Sequence, residues 1–541
     1  MSSETLCLIV NNIKLPTDAS FEEAFSVASS RLNKAGIRIR KPAFSVYKRS
    51  VDARRRDDIK FVYSVAVTAE FTGVSEYSLS KAGAALNTKS EKPKLEPGSE
   101  VLNSRPLVVG SGPAGLFAAL LLAEWGYKPV LIERGGSVSE RKKAINDFKI
   151  TRILDTDTNI QFGAGGAGTF SDGKLVTRIN DGLCNYVLEK FVEFGAPEEI
   201  LYLAKPHIGT DILCEIVDKI IDKIVELGGD VRYHTRLIDV SSSDGKIRVA
   251  KTNTGDIPCG AVILAIGHSA RDTYEMLLSR GVSIEAKNFS VGMRIEHLAS
   301  DIDKVMYGDK AGDPILGHAE YTLSHNTKER GVYTFCMCPG GEVVAATSEN
   351  GGVVVNGMSH HARDGRNSNS AVVCSVFKED YGATVTKAIE FQRSIERAAF
   401  IAGGSDYSAP IITFGDFVNN KACTDPSRIL PTYMDGGVKL ALPEAYLPSF
   451  ICDSIKNAIH AFDGKINGFA SPYAVLTGAE TRTSAPVRIL RNNDSRLAIG
   501  FDNLYPTGEG AGYAGGITSA AVDGLKTAIT LINRYSPVKL G

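Results

Sequence analysis

The sequence predicts a doubly wound α/β fold, interrupted by an inserted mixed α/β domain and preceded by a small α+β domain of ferredoxin-like order. Three observations predict it. Between Arg105 and Gly135 two short apolar runs, "LVV" and "PVLIE", bracket a glycine-rich turn and an alanine- and leucine-rich segment. From Gly478 to Gly541 the strand, glycine turn and helix pattern returns, after a long middle region of short strands, glycines and histidines. The first stretch of the chain runs strand, helix, strand, strand. At 541 residues the chain is also too long for one core. The boundaries that follow are 1–86 for the N-terminal domain and 87–104 for a linker. The doubly wound domain takes 105–286 and 478–541, with the insert at 287–477.

In the N-terminal domain "TLCLIVNNIKL" reads as a strand, and "SFEEAFSVASSRLNKAG" places Phe21, Phe25, Ala28 and Leu32 on one helical face. Ser20 and Glu23 have capping-box spacing and Gly36 stops the helix. "PAFSVYKR" and "KFVYSVAVTAEF" then alternate as strands, and the polar, proline-bearing "NTKSEKPKLEPGSEVLNS" is the linker. Lys48, Arg49, Arg54, Arg55 and Arg56 cluster here, but Asp52, Asp57 and Asp58 offset much of their charge. A solvated loop is the first reading and a grip on an RNA backbone the second.

Hydrophobic residues at 43% and charged residues at 23% are ordinary for a globular protein. A net charge of -1 argues against bulk attraction to nucleic acid or acidic membrane. The N-terminus has no basic segment before its apolar run, and no stretch approaches the roughly 20 apolar residues that cross a bilayer. Nine cysteines without zinc-like spacing read as reduced thiols, with no metal site. A cytoplasmic location is the expectation.

The glycines of Gly110-Ser111-Gly112-Pro113-Ala114-Gly115 have separable jobs. The first permits a tight turn off the strand, the second lets a pyrophosphate approach the backbone, and the third lets the helix pack close on the sheet. The helix then aims its N-terminal amides at the phosphates. Glu133 ends the second strand, where its carboxylate can accept from both ribose hydroxyls. An acid rather than an arginine there disfavours a 2′-phosphate, leaving FAD or NAD.

Later stretches choose FAD by resemblance. "GGDVRYHTRLIDV" with "IPCGAVILAIGHSA" resembles the strand pair of two-dinucleotide-binding flavoproteins, and "NLYPTGEGAGYAGGITSAAVDG" is similar to their C-terminal flavin motif. Further stretches, among them "NIQFGAGGAGTFSDGKL", "YTFCMCPGGEVVAATSE", "NGMSHHARDGRNSNSAVV" and "AETRTSAPVRILR", resemble one bacterial family, the FAD-dependent dehydrogenases labelled NAD(FAD)-utilising. The likeness covers essentially the whole chain, the N-terminal domain included. It implies that Gly110, Gly112, Pro113, Ala114, Gly115, Glu133 and Arg134 bind the ADP half, with Arg141 in reach of phosphate. It places Gly165, Gly166 and Gly168 beside the flavin ring, with Thr169, Ser171 and Lys174 as polar groups near it. Leu237, Ala265 and Gly267 complete the cofactor contacts, Gly508 and Glu509 hold the ribityl chain, and Gly515, Gly516 and Ile517 open a helix toward the ring.

A flavin carries the hydride, so the protein must orient a small substrate and supply a proton. His360, His361 and Arg363, together with Lys174, are the candidates: arginine to clamp a carboxylate, histidine to donate. Arg366 lies in the same loop; His268 reads as structural or as a cofactor contact, and His207 is uncertain. Cys336 and Cys338 have C-x-C rather than C-x-x-C spacing; on a strand they share a face, and packing or a free thiol is the reading. No second glycine fingerprint opens a nicotinamide domain, and NADH stays open as an external reductant. The leading expectation is an FAD-dependent oxidoreductase acting on a small molecule; an RNA-acting flavoenzyme and a non-catalytic FAD-binding protein are the rivals.

Overall fold

The computed structural model describes residues 5–87, 95–422 and 424–537, so part of the expected linker lies outside the described residues. The chain forms two units. Among the described residues, one gathers those up to 87 with 180–207 and 300–319; the other comprises those from 95 to 179, 208–299 and from 320 onward. Segments 180–207 and 300–319, which the sequence reading assigned to the doubly wound domain and the insert, thus cluster with the N-terminal residues.

In the first unit an antiparallel sheet runs in the order Arg38–Asp52, Lys60–Thr72, Thr5–Pro16, Ala84–Leu86. Strand Lys60–Thr72 is central, and its alternate residues Phe61, Tyr63, Val65, Val67, Ala69 and Phe71 are all buried, as a period of two demands. Helix Phe21–Lys34 starts at the expected capping box: Ser20 Oγ accepts from the Glu23 amide at 3.3 Å, and Glu23 accepts from the Ser20 amide at 2.9 Å. Its buried stripe is Ala24, Ala28 and Leu32, while Phe25 stacks on Phe44 at the margin.

In the second unit five parallel strands lie in the order Leu504–Pro506, Val262–Leu264, Leu107–Val109, Val130–Ile132, Asp230–Arg232. The C-terminal segment therefore completes a sheet begun four hundred residues earlier. All but the last strand are buried throughout, which is why they read as short apolar runs without alternation. Helix Pro113–Glu124 is apolar all round, with residues 114–123 buried, and it packs on helix Ile517–Arg534.

A seven-stranded sheet forms the inserted part, with Phe289–Leu298 and Asn367–Val376 paired over ten residues each at its centre. Strand Val475–Glu480 belongs to this sheet, so the insert runs past the expected boundary at 477. That strand is buried throughout, and its pairing with Phe289–Leu298, far off in sequence, is invisible to local pattern. Among the described residues no helix is long and apolar enough to cross a membrane.

Candidate functional site: a cleft at the strand ends

Four strands of the parallel sheet end at the same side, and the residue after each one lines a single cleft. These are Gly110, Glu133, Ala265 and Thr507. Open α/β sheets bind ligands in this place, where successive connections leave in opposite directions. The cleft's empty space, mouth included, is about 1750 Å³.

The turn after Leu107–Val109 is built as its glycines require. Gly110 has φ +98°, and a Cβ on it would collide with the Ala265 carbonyl. A Cβ on Gly115 would strike the Gly110 carbonyl, so the third glycine sets the closeness of helix and turn. Gly112 caps the helix without a side-chain partner and Pro113 occupies its first turn. Its amides therefore face the cleft uncapped, with the positive end of the helix dipole behind them. A second uncapped N-terminus opens into the same cleft at Gly516, which begins Ile517–Arg534.

Glu133 is 5% exposed and already has four partners. One oxygen accepts from the amide and hydroxyl of Ser111 at 2.9 and 2.7 Å; the other accepts from the amides of Gly135 and Gly163, each at 3.0 Å. A carboxylate accepts about four hydrogen bonds. A ribose hydroxyl would therefore compete with Ser111 rather than meet a bare oxygen. Arg134 lines the cleft, pairs with Asp272 at 2.7 Å and lies over the Phe162 ring at 4.3 Å.

Arg141 corrects the sequence reading. Instead of reaching for phosphate it is fully buried, donating to the carbonyls of Asn159, Ile160 and Gly166 at 3.0, 2.9 and 3.1 Å and also to Ala164. Its donors are turned into the glycine-rich loop. Burial draws its guanidinium down to about 10. Of the loop, Gly166, Gly168, Ser171 and Lys174 line the cleft, and Gly166 packs directly on Gly112, whose Cα a Cβ on Gly166 would meet at 2.8 Å. Gly165 and Thr169 do not line it. Thr169 is buried, its carbonyl accepting from Thr210, and its hydroxyl has no hydrogen-bond partner among the described residues.

The expected catalytic loop is likewise displaced. Neither His360 nor His361 lines the cleft; His361 Nδ1 lies 3.0 Å from the Ile208 carbonyl, and its amide donates to Asp211. Arg363 is not a clamp. It is buried against Asp172 and Glu320, with Nε 2.9 Å from the first and Nη1 2.8 Å from the second. Lys174 does line the cleft, held by ion pairs with Asp172 and, at 3.6 Å, Glu320. Burial alone would raise the Asp172 carboxyl, but Lys174 and Arg363 outweigh it and hold the group down at about 2. The result is a fixed cation on the cleft wall.

Of the C-terminal motif, Glu509, Gly515, Gly516 and Ile517 line the cleft, whereas Gly508 does not. The Gly508 amide donates to Asp523 at 2.7 Å, and the Tyr274 hydroxyl donates to Gly510 at 2.7 Å, pinning the turn under the strand ends. Burial pushes the Glu509 carboxyl up to about 7. Leu237, Ala265, Gly267 and His268 also line the cleft. Burial, with Arg482 and Arg271 nearby, lowers His268 to about 3, so its ring is neutral near neutral pH.

Among the lining side chains left unassigned by the sequence reading, Phe335, Asn356, Glu480, Arg482 and Thr483 come from the insert and its return. Glu480 pairs with fully buried Arg294 at 2.8 Å, and Arg482 with Glu396 at 3.0 Å. Ionisable residues inside strand-like apolar runs were the available signal. The basic cluster of the N-terminal unit is largely internally paired: Arg54 with Asp52 at 2.6 Å, Arg55 with Asp57 at 3.1 Å, and Arg49 over the rings of Phe61 and Tyr202.

The donor set fits an elongated dinucleotide anion. Two uncapped helix ends flank a wall of glycines, and a Cβ built on Gly267 or Gly515 would meet open space. Residues 104–147 match the family described as FAD binding domain, and 288–483 match FAD-dependent protein, C-terminal domain-like. The chain is an FAD-dependent flavoprotein. Residues 8–68 match a domain of unknown function. An uncharacterized protein of Clostridium beijerinckii is 44% identical over 533 residues, covering 98% of this chain and 99% of that one, and the chain belongs to its family. Among solved structures, L-amino acid deaminase from Proteus vulgaris matches at 12% identity and TM-score 0.32, over 83% of this chain and 97% of that one. Glycine oxidase from Bacillus cereus matches at 11% and 0.33, over 80% and 99%. Likeness that low carries no reading of substrate.

Proposed function

We propose that the protein is an FAD-dependent oxidoreductase of the bacterial NAD(FAD)-utilising dehydrogenase type, moving a hydride to or from a small molecule. The observation that supports it most is the single cleft lined by both helix ends, Gly112 and Gly516, together with the fixed cation Lys174. When bound, FAD supplies the two-electron acceptor. The amides at Gly112 and after Pro113 would hold its diphosphate, and a ribose hydroxyl would take the place of the Ser111 hydroxyl on Glu133. Amides at Gly516 and Ile517 would stabilise negative charge on the ring's polar edge.

Chain groups supply the rest. Lys174, anchored by Asp172, orients an anionic substrate group or charge. Glu509, titrating near neutrality, can hold a proton or give it up at its carboxylate. The insert's wall of Phe335, Asn356 and Arg482 narrows the cleft against water.

Purified protein is expected to be yellow and to release FAD on denaturation. Its colour should bleach anaerobically with NADH or with one of a panel of small amines and hydroxy acids. A colourless protein that FAD cannot reconstitute overturns the flavin reading; retained colour without any electron exchange favours the non-catalytic rival.

A further inference from the structure

Cys336 and Cys338 stand in the strand Gly331–Cys338, which pairs with Asn367–Val376 in regular register as far as Phe335. There the register slips by one residue before Cys338, and Cys336 takes φ +43°. This is a β-bulge, and it re-aims side chains that a regular strand would hold on one face. Cys336 is left partly exposed on the cleft wall, whereas Cys338 is fully buried behind it. Cys338 Sγ donates to the Cys336 carbonyl oxygen at 3.3 Å, which holds the buried thiol against the backbone of the cleft-lining one.

The surroundings separate their roles. Arg294, buried and fixed by Glu480 and by Asn369 at 2.7 Å, donates to the Cys336 carbonyl at 3.0 Å. The Cys338 hydrogen bond draws Cys336 down to about 7 against the effect of burial, with Arg294 and Lys174 assisting and Glu480 opposing. Cys338 is raised, by Cys336 first and by burial second, with Asp172 adding to both. An accessible thiolate backed by a buried thiol is the arrangement that thiol–disulfide exchange requires.

We propose that Cys336 and Cys338 form a redox-active dithiol that reduces a small disulfide entering the cleft, with Cys336 attacking and Cys338 resolving. Cys336 Sγ attacks one sulfur of the disulfide, the substrate's S–S bond breaks, and one thiolate leaves and takes a proton from water. Cys338, giving its proton to water, then attacks Cys336 Sγ; the Sγ–Sγ bond forms and the second substrate thiolate departs. Two protein thiols lose two electrons and two protons, and the disulfide gains both. No atom of the cofactor takes part, so this inference and the flavin reading stand or fall separately.

The test uses the full-length protein as purified, reduced with dithiothreitol, desalted and exposed to glutathione disulfide at neutral pH. Trapping with N-ethylmaleimide and peptide mass spectrometry follow. The expected result is an internal Cys336–Cys338 disulfide with two glutathiones released per chain. A drop to about 7 from 9.0 raises the thiolate fraction about fiftyfold at neutral pH, and weaker intrinsic nucleophilicity takes back about eightfold. Cys336 should thus react about sixfold faster than an ordinary thiol. In Cys338→Ser, glutathione should remain on Cys336; in Cys336→Ser, Cys338 should stay reduced. Stable glutathione on Cys336 in the unaltered protein, or a Cys336 no faster than Cys7 toward iodoacetamide, overturns the proposal, and both are read without any variant.

Discussion

Glu133 and Ser111 are joined twice: one carboxylate oxygen accepts both the Ser111 amide, at 2.9 Å, and its hydroxyl, at 2.7 Å. The other oxygen ties the Gly135 and Gly163 amides, so one buried acid knits the fingerprint turn to the glycine-rich loop. Glu133→Gln puts an NH2 group against two N–H donors. It should cost about 3–5 kcal/mol, the scale for stripping a buried charge from its hydrogen-bond partners. Thermal melts with and without FAD check this. A variant that keeps its melting temperature and loses only FAD affinity would show that the acid serves the ribose and not the loop.

Arg141 supports the same loop from beneath, through carbonyls rather than through any carboxylate. Arg141→Met should leave those carbonyls unsatisfied in the interior, at about 3 kcal/mol or more. Limited proteolysis should then cut within residues 160–170, and FAD retention should fall with stability. Normal melting and normal proteolysis with a selective loss of FAD would restore the phosphate role.

Much of this cleft could be read from local sequence, because strand, turn, helix and acid of the fingerprint lie within thirty residues, and each glycine answers to a backbone constraint nearby. The C-terminal motif was legible for the same reason. What escaped depends on long-range partners. Nothing around Arg141 in sequence shows that five carbonyls will converge on it, and Arg363 reads as a clamp for a substrate carboxylate until Asp172, nearly two hundred residues earlier, is found beside it. The C-x-C pair was read as sharing a strand face because a bulge one residue long has no sequence signature there.

His360 and His361 offer a direct check of that displacement. Neither lines the cleft, so His360→Ala should change stability by no more than about 0.5 kcal/mol, as exposed substitutions do, and leave flavin reduction rates within about twofold. Lys174→Met, by contrast, removes one of the cleft-lining cations and leaves Asp172 to Arg363 and Ser359. It should lower the rate constant for flavin reduction by an anionic substrate at least about tenfold, the loss of one charge-assisted contact. Stopped-flow reduction of the two variants side by side decides it, and the reverse ranking would return catalysis to the histidine loop.

Glu509 gives a pH dependence whose sign is fixed by burial. In the unfolded chain it titrates near 4.5; in the fold burial raises it to about 7, with Lys287 opposing. The folded state therefore holds the proton more tightly, and the stability this confers is fully present below 4.5. It is lost as pH rises through 7. The shift corresponds to about 3 kcal/mol, reduced by whatever solvent screens a partly exposed carboxylate. Urea unfolding of the FAD-free protein should show stability falling between about pH 5 and pH 8, and Glu509→Gln should remove that part of the slope. Because the difference between the two proteins isolates one group, parallel pH profiles would mean that the Glu509 carboxylate is solvated in the cleft and titrates like any surface glutamate.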